Sequence, residues 1–558
     1  MSGEYAISLV NMTKQHESKT ILEDVNLSFF HGAHIGVIGA NGSGKSTLLR
    51  IMAGLDTDFM GQCIVAKNTK IGYLPQEPVL DETKTVAECV AEGVADSQAL
   101  LDRYDEICGM LGDEMSDEEM DKLNSELGRL QDVIDANDLW NLDHHVELAM
   151  EALRLPPADA SVKPLSGGEL RRVALCRLLL SNPDIMLLDE PTNHLDAESV
   201  AWLETYLKNF KGSLIVVTHD RYFLSNVTEW ILELDSGRIF PYKGNYEAWL
   251  EQKQTMLMRE QRQAESRRKL IENELAWVRT NPAGRHAKSR DRIKRYEELV
   301  SQEISTREDD LSIQIPPGRR LGDLVVRAKD VSMGFGDKLL FEHLEFDLPR
   351  GGIVGVIGGN GAGKTTLFKL ITEELQPIGG TFEVGPTVDL SYVNQLRDSL
   401  NDDSTVYEEI TGGNEYVSLA GKQMMNGRAY CSRFNFRGAD QQKKVGVLSG
   451  GERNRVHLAK LLRSGGNLLL LDEPTIDLDV ATLRSLEEGM MSFGGCIMVI
   501  SHDRYFLDRV ATHILAFEGD SRVTWFEGSY SEYREHRRKL LGDDADRPTR
   551  VRFRPLNI

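Results

Sequence analysis

Short, unbroken apolar runs recur in both halves of the chain, and each ends at glycine or at acidic residues. The runs are Ile35–Ile38, Ile185–Leu188, Ile353–Ile357 and Leu468–Leu471. Runs of this length, bounded by polar or glycine-rich stretches, are typical of buried strands. The pattern therefore predicts an α/β protein in which strands lead into polar loops and then into helices.

Two other stretches have the pattern of charged helices. Around residues 95–139 apolar side chains recur at three-to-four spacing, which predicts a helical pair with a narrow apolar stripe; these are Leu111, Met115, Leu123, Leu127, Leu130 and Ile134. Residues 245–279 and about 287–303 are also helical in pattern and highly charged. Between them, Asn281–Gly284 contains a Pro and a Gly that interrupt a helix. This second stretch therefore predicts a long helical hairpin.

The chain contains an internal repeat with matching spacing. Five residue types recur in the same order in two sets: Lys45, Gln76, Ser166, Asp189 and His219, and Lys364, Gln395, Ser449, Asp472 and His502. In each set the Lys and the Gln are 31 residues apart, the Ser and the Asp 23, and the Asp and the His 30. The early members are offset by 319 residues and the later members by 283. The first copy therefore contains 36 additional residues, and the segment around 95–139 accounts for them.

Each copy begins with a glycine-rich loop that follows an apolar run. Both loops fit the pattern GxxxxGK[ST], in which backbone N–H groups and a helix N-terminus hold phosphates. Lys45 and Lys364 are expected to reach the β- and γ-phosphates, and Ser46 and Thr365 to bind Mg²⁺. The candidate ATP-binding residues of the loops are Gly39, Ala40, Asn41, Gly42, Ser43, Gly44, Lys45, Ser46 and Thr47, and Gly358, Gly359, Asn360, Gly361, Ala362, Gly363, Lys364, Thr365 and Thr366.

Two of the apolar runs end in Asp-Glu. Asp189 and Asp472 are expected to hold Mg²⁺, and Glu190 and Glu473 to act on the attacking water as the base. Burying a charged carboxylate at the end of a strand costs free energy unless it is paired or binds a metal. A purely structural role for these acids is therefore disfavoured. The two copies therefore predict an ATP hydrolase that converts ATP and water to ADP and phosphate at two sites.

The sequence LSGGE precedes each Asp-Glu strand, at Leu165–Glu169 and at Leu448–Glu452. The ordered set of motifs, which also includes Asp196 and Asp479, resembles the ATP-binding cassette family twice over. The resemblance implies two tandem P-loop NTPase domains of α/β fold. It also implies that His219 and His502 are catalytic, and that further contacts to ATP come from Ser166, Gly167, Gly168, Ser449, Gly450 and Gly451. Gln76 and Gln395 would contact both ATP and Mg²⁺.

The same resemblance implies that the cassettes pack head to tail. The Lys45 loop would then face Ser449–Gly451, and the Lys364 loop would face Ser166–Gly168. Because both copies contain the glutamate and the histidine, both sites are expected to hydrolyse ATP.

The copies depart from each other, and from the family pattern, in two places. Phe335 stands where family members stack an aromatic ring on adenine, whereas the first copy has His16. The second copy has Thr475-Ile476-Asp477 where the first has Thr192-Asn193-His194. These differences can make the two sites unequal.

Charge and composition narrow the classes of function. The net charge of −22 argues against a general nucleic-acid-binding surface, since phosphate contacts need Lys and Arg. No run approaches the roughly 18–20 apolar residues of a membrane span, and the N-terminus has no signal-peptide pattern. The six cysteines are scattered without metal-ligand spacing. We therefore expect a cytoplasmic protein with no membrane segment.

Two local charge clusters depart from this background. Residues 96–138 contain 14 acidic and 3 basic residues, which favours either a solvated surface or an arm that docks on a basic protein. The predicted hairpin tip has the reverse charge and favours contact with RNA or DNA phosphates through Arg279, Arg285, Lys288, Arg290, Arg292, Lys294 and Arg295. The C-terminal segment is also basic, and a disordered tail explains it equally well.

Tandem cassettes joined by a charged helical linker resemble the F subfamily of ATP-binding cassette proteins, which act on ribosomes. Three stretches carry a closer similarity to a bacterial branch of it: GNYEAWLEQK (Gly244–Lys253), IPPGRRLGD (Ile315–Asp323) and SRFNFRGADQQKKVGVLSGGE (Ser432–Glu452). The resemblance implies a ribosome-bound, monomeric ATPase that regulates translation near the exit-tRNA site of the 70S ribosome, gating early elongation according to its ATP state. It implies that the linker contacts tRNA and large-subunit rRNA and that the acidic arm contacts the uL1 stalk.

The predicted domains are a first cassette at 1–243 with the acidic arm at about 95–139, a linker at 244–322, a second cassette at 323–540 and a basic tail at 541–558. Three other functions remain alternatives: a ribosome-protection factor for antibiotic resistance, the ATPase subunit of a membrane transporter, and a DNA-repair ATPase. The predicted hairpin is short for a ribosome-protection factor. A transporter ATPase gives no reason for a basic hairpin, and a DNA-repair ATPase would carry zinc-type cysteine pairs, which this sequence lacks.

Overall fold

The computed structural model describes residues 5–16, 19–111, 117–235, 237–256, 258–259, 315, 318–336, 338–393, 400–419, 423–448, 450–475, 478, 480–542 and 554–555. Across those ranges, none of the helices combines the length and the apolar character that crossing a membrane requires.

The first half consists of nine strands and seven α-helices within the described residues. The strands are β1 (Tyr5–His16), β2 (Lys19–Phe30), β3 (His34–Gly39), β4 (Met60–Val65), β5 (Ile71–Leu74), β6 (Ile185–Asp189), β7 (Ser213–Val217), β8 (Trp230–Asp235) and β9 (Arg238–Lys243). The helices are α1 (Lys45–Met52), α2 (Val86–Met110), α3 (Asp117–Ala136), α4 (Leu142–Ala152), α5 (Gly167–Leu180), α6 (Ala197–Lys208) and α7 (Arg221–Val227).

The main sheet of this half has the order β5-β6-β7-β3-β8-β9 and is parallel except for β9. The apolar runs of β3 and β6 lie in its interior. Their alternate side chains supply different cores, because Ile38 and Leu188 pack on one face while Val37 and Leu187 pack on the other. A strand buried on both faces explains why the sequence shows unbroken apolar runs rather than alternation.

The second half repeats this plan. Its described strands are β10 (Val326–Phe335), β11 (Lys338–Asp347), β12 (Ile353–Gly358), β13 (Gly379–Val384), β14 (Leu390–Val393), β15 (Tyr416–Leu419), β16 (Gln423–Asn426), β17 (Leu468–Asp472), β18 (Cys496–Ile500), β19 (His513–Gly519), β20 (Arg522–Glu527) and β21 (Arg554–Pro555). Its described helices are α8 (Lys364–Ile371), α9 (Val406–Thr411), α10 (Gly427–Ser432), α11 (Gly450–Ser464), α12 (Val480–Met491), α13 (Arg504–Val510) and α14 (Tyr530–Leu541).

The main sheet of the second half has the order β14-β17-β18-β12-β19-β20, which matches the first sheet strand for strand. In both sheets, the strand before the glycine-rich loop lies next to the strand before the predicted catalytic histidine, His219 or His502, which is called the switch histidine below. The loop and the histidine therefore emerge at the same edge of the sheet. This arrangement confirms the predicted α/β fold with two tandem P-loop domains. Near the C-terminus, Arg554 pairs in register with Leu339 of β11.

The predicted arm coincides with two helices, α2 and α3. The first begins at Val86 behind a capping box of Thr85 and Glu88, before the predicted boundary at about residue 95. Nε of Arg103 donates to Oε1 of Glu126 at 2.9 Å, which links the two helices on a surface otherwise rich in acid. Residues 246–256 of the linker are helical, whereas the predicted basic tip lies outside the described residues. The domain boundaries remain predictions.

Candidate active site

The two glycine-rich loops have the same local structure. Nζ of Lys364 donates to the carbonyls of Gly358 and Gly359 at 2.7 and 3.2 Å, and Nζ of Lys45 donates to the carbonyls of Gly39 and Ala40 at 2.8 and 3.1 Å. Each lysine begins the helix that follows its loop. The ammonium groups and the helix N-termini therefore create positive potential inside the loops, as phosphate binding requires.

The glycine before each lysine is required by the backbone. Gly44 has φ +102° and Gly363 has φ +106°. A side chain is strained in this left-handed region, and at Gly44 a Cβ would also lie 2.4 Å from Cγ2 of Ile21. The sequence spacing of the loop therefore reflects a turn that only glycine allows.

The strand-end aspartates lie beside the hydroxyls predicted to share Mg²⁺ with them. Oγ1 of Thr365 donates to Oδ2 of Asp472 at 2.9 Å. In the first cassette, the pKa of Asp189 is raised by burial, and a hydrogen bond from Ser46 partly offsets this. Burial likewise raises the pKa of Asp472, which Thr365 and Lys364 oppose. Each pair places two hard oxygen donors next to the phosphate loop.

Both glutamates after these aspartates have a strained backbone. The φ angle is +53° at Glu190 and +51° at Glu473, a region that side-chain-bearing residues rarely occupy. Each carboxylate lies close to the switch histidine of its own cassette. Nε2 of His219 lies 3.5 Å from Oε1 of Glu190, and Nε2 of His502 lies 3.4 Å from Oε1 of Glu473.

Electrostatics at the second cassette couple these groups to the loop lysine. Burial raises the pKa of Glu473, and the nearby Lys364 ammonium opposes that rise. Burial lowers the pKa of His502 well below its usual value, and the charges of Lys364 and Arg154 lower it further. The histidine is therefore neutral and can accept a hydrogen bond; Nζ of Lys364 and Nε2 of His502 are 3.2 Å apart.

A cavity of about 640 Å³ joins the two cassettes. Ser166 and Gly168 of the first cassette line it opposite Lys364, Glu473 and His502 of the second. Its volume suits a nucleotide, since small-molecule sites are typically about 300–1,000 Å³. Nδ2 of Asn360, in the second loop, also donates to the carbonyl of His194 in the first cassette at 3.2 Å. The structure thus places the Lys364 loop and Ser166–Gly168 head to tail.

Other predicted site residues are placed as follows. Gln76 lies in an exposed bend after β5, Gly450 and Gly451 begin α11, and Ser449, Gln395 and Asp479 lie outside the described residues. Phe335 ends its strand opposite Lys338, and His16 ends its own opposite Lys19. The two residues are therefore structural equivalents, and Phe335 is 52% exposed.

Sequence reasoning missed Arg171, two residues after the first LSGGE. It is 5% exposed, and its Nη2 donates to the carbonyls of Asp189 and Glu190, each at 2.5 Å. It therefore fixes the strained peptide between the two acids. The second copy has Asn454 at this position, and that difference is the signal that could have drawn attention to it.

Comparison with known proteins agrees with this geometry. A family model described as ABC transporter matches residues 22–193 and again residues 341–476, and a second model with the same description matches residues 232–315. The chain is 52% identical over 557 residues to the energy-dependent translational throttle protein EttA of Haemophilus influenzae, covering 100% of both chains. It is 53% identical over 536 residues to the Escherichia coli K12 protein of that name, covering 96% of both.

The chain belongs to the EttA family of ATP-binding cassette proteins. Among solved structures, an RNase-L inhibitor has a TM-score of 0.60 at 19% identity, covering 99% of this chain and 96% of its own. That likeness concerns the fold alone and agrees with a tandem cassette arrangement. As a member of the EttA family, the chain is an ATPase.

Proposed function

We propose that this ATPase associates with the ribosome and regulates translation, binding near the exit-tRNA site and gating early elongation according to its ATP state. The cavity that joins Lys364 and Glu473 to Ser166 carries the enzymatic part of this proposal, because it unites residues of both cassettes around one nucleotide-sized space. The translational part is supported by the printed names of relatives with 52–53% identity over nearly the whole chain.

In the proposed reaction the backbone amides of the second loop and Lys364 bind the phosphates of ATP. The Glu473 carboxylate orients a water in line with the γ-phosphate and accepts its proton, and His502 contacts the transferred phosphoryl group. Ser166 and Gly168 complete the site from the other cassette. The equivalent set at the first loop consists of Lys45, Glu190, His219 and Ser449–Gly451.

The residues present fit Mg²⁺ as the companion of ATP. Thr365 and Asp472 supply adjacent hydroxyl and carboxylate oxygens, and within the described part of the chain Oδ2 of Asp189 is buried without a hydrogen-bond partner. Mg²⁺ prefers such oxygen ligands and takes the rest of its shell from phosphates and water. Bound there, it would neutralise charge on the phosphates.

Closure of the cassettes on ATP would couple hydrolysis to motion. Ser166 and Gly168 approach the second loop only when the cassettes are together, so loss of the γ-phosphate removes a contact that holds them. The linker, predicted at 244–322, connects the moving bodies. Its basic tip is proposed to contact tRNA and large-subunit rRNA, and the acidic arm the uL1 stalk, for a protein acting as a monomer in the cytoplasm.

The direct test is to prevent hydrolysis while keeping ATP binding. We expect the double variant Glu190→Gln and Glu473→Gln, with ATP, to sediment with 70S ribosomes in a sucrose gradient. The matched control adds Lys45→Ala and Lys364→Ala to the same protein, which removes phosphate binding and should release it. A trapped variant that sediments free of ribosomes with ATP bound would refute the translational role and leave the ATPase assignment intact.

A further inference from the structure

A chain of charged side chains crosses between the cassettes beside the Lys364 site. Nη2 of Arg154 lies 2.5 Å from Oε2 of Glu198, and its Nη1 pairs with Asp196. On the other side, both terminal nitrogens of Arg537, in α14 of the second cassette, lie 3.2 Å from Oε1 of Glu198. Asp196 is 3% exposed and the other side chains are partly buried. Solvent therefore screens these interactions only in part.

Asp196 connects this chain to the ATP site. It caps α6 by accepting from the backbone N–H of Ser199 at 3.0 Å. It also follows His194, whose carbonyl accepts from Asn360 of the second phosphate loop. Arg154, whose backbone has φ +51°, forms an ion pair with the carboxylate of Asp196. The orientation of the Asp196 side chain therefore affects the backbone position of residues 194–196 beside the phosphate loop.

The helix that carries Arg537 lies against the beginning of the same loop. A small cavity of about 70 Å³ is lined by Arg537 and Glu198 together with Gly358 and Gly359. These are the two glycines whose carbonyls accept from Lys364. A displacement of α14 would therefore move residues that contact both the phosphate loop at Gly358 and Gly359 and the first cassette at Glu198.

The internal repeat limits the Arg537–Glu198 contact to one site, whereas Arg437 stands at the position equivalent to Arg154. Seven residues after Tyr246 and Tyr530, at equivalent positions, stand Lys253 and Arg537. Nζ of Lys253, at the start of the predicted linker, pairs with Oε1 of Glu233 in the adjoining first cassette at 2.9 Å. The second copy has Ala516 in place of Glu233, which leaves Arg537 available to reach across to Glu198.

The complementary difference lies on the acceptor side. The position equivalent to Glu198 is Ala481, 283 residues later, so the second copy has no carboxylate at the position that accepts from Arg537 in the first. The two exchanges act together. The first keeps Lys253, at the start of the linker, paired with the first cassette. The second allows Arg537 of the C-terminal helix to pair across the interface with Glu198.

We propose that Arg154, Glu198 and Arg537 are positioning residues that hold Asp196 in place at the Lys364 site, and that the C-terminal helix thereby braces this ATP site and not the Lys45 site. This inference rests on the proposed hydrolysis of ATP at both sites. Its consequence is that the bridge residues affect the turnover number of one site alone.

Variants with one remaining catalytic glutamate test whether the bridge residues affect one ATP site or both. Glu190→Gln leaves Glu473 as the base of the Lys364 site, and Glu473→Gln leaves Glu190 as the base of the Lys45 site. We expect Arg537→Ala to lower kcat about tenfold in the Glu190→Gln protein, with KM for ATP little changed, since one charged contact across the interface is lost. In the Glu473→Gln protein the same change should leave kcat within about twofold.

The controls distinguish positioning from a general loss of structure. Arg537→Lys keeps the charge and should recover most of the activity, whereas Lys253→Ala, its counterpart in the first copy, should leave the Lys364 site unaffected. Glu198→Gln tests the bridge from the other cassette and should reproduce the site-specific loss. Equal losses in both single-site proteins, or an unchanged Lys364 site, would overturn the proposal. Failure of the parent enzymes to hydrolyse ATP would instead refute the proposed function.

Discussion

Arg221 of the first cassette donates from Nη1 to Oε1 of Glu487 in the second at 2.7 Å, and both side chains are buried, with exposures of 2% and 0%. The relationship is reciprocal, because Arg504 pairs with Glu204 across the same interface. Each residue is offset from its counterpart by 283 positions, as are the two strand-end glutamates, Glu190 and Glu473, and the two histidines, His219 and His502. Each arginine also stands two residues after a switch histidine, so the interface and the two sites share one structural element.

The first prediction concerns this buried pair. Replacing Arg221 by Ala leaves Arg509 as the ion-pair partner of the buried Glu487 carboxylate among the described residues. Removing one partner of a buried ion pair costs about 3–5 kcal/mol. We expect a marked fall in the thermal unfolding midpoint and in ATP hydrolysis, measured by calorimetry and phosphate release. Arg509→Ala, at a more exposed arginine bound to the same glutamate, should have a clearly smaller effect. Equal effects of the two changes would contradict this account.

The second prediction concerns Arg171. Its loss removes two charged hydrogen bonds to the carbonyls of Asp189 and Glu190, each worth about 1.5–3 kcal/mol. We expect Arg171→Met to reduce kcat at least tenfold in the Glu473→Gln protein, in which Glu190 is the remaining base. Arg177→Met, on the same helix but in a surface pair with Glu92, is the control. If Arg171→Met acted equally in the Glu190→Gln protein, its role would be general folding.

The third prediction concerns adenine binding. Phe335 is half exposed at the end of its strand, and stacking of a base on an aromatic ring contributes about 1–3 kcal/mol. In the Glu190→Gln protein, Phe335→Ala should therefore raise KM for ATP about tenfold, while Phe335→Tyr should restore it. Stability should hardly change, because the ring is not part of the core. An unaltered KM would show that adenine contacts another surface.

The fourth prediction concerns the basic linker tip, which lies outside the described residues. Changing Arg285, Lys288, Arg290 and Arg292 to Gln in the ATP-trapped double variant should weaken ribosome binding and flatten its salt dependence, because fewer counterions are released.

A matched control for the tip removes the same charge elsewhere, by changing to Gln four cassette residues at least partly accessible to solvent, namely Lys70, Arg238, Arg327 and Lys329. Binding measured across a salt series should keep its slope in this control. If both proteins lose the same slope, net charge rather than the tip governs binding.

Much of the site could be predicted from local sequence. The glycine-rich loops, the strand-end acids such as Asp472 and Glu473, and the helix that starts at Lys364 depend on backbone geometry within a few residues. The matching spacing of the two copies then located the 36 additional residues of the first cassette, where the structure has α2 and α3. Buried strands and left-handed glycines leave such local marks because each requires a particular residue type at each position.

The contacts between the cassettes do not follow from any local sequence pattern. Motif order and spacing along the chain were enough to find two sets of candidate catalytic residues and the strands and helices that carry them. The pairing of Arg221 with Glu487, 266 residues away, and the contact of Arg537 with Glu198 of the other cassette are visible only in the folded protein. The physical reason is that such pairs depend on the packing of two preformed bodies, which brings together charges that neither periodicity nor spacing along the chain relates.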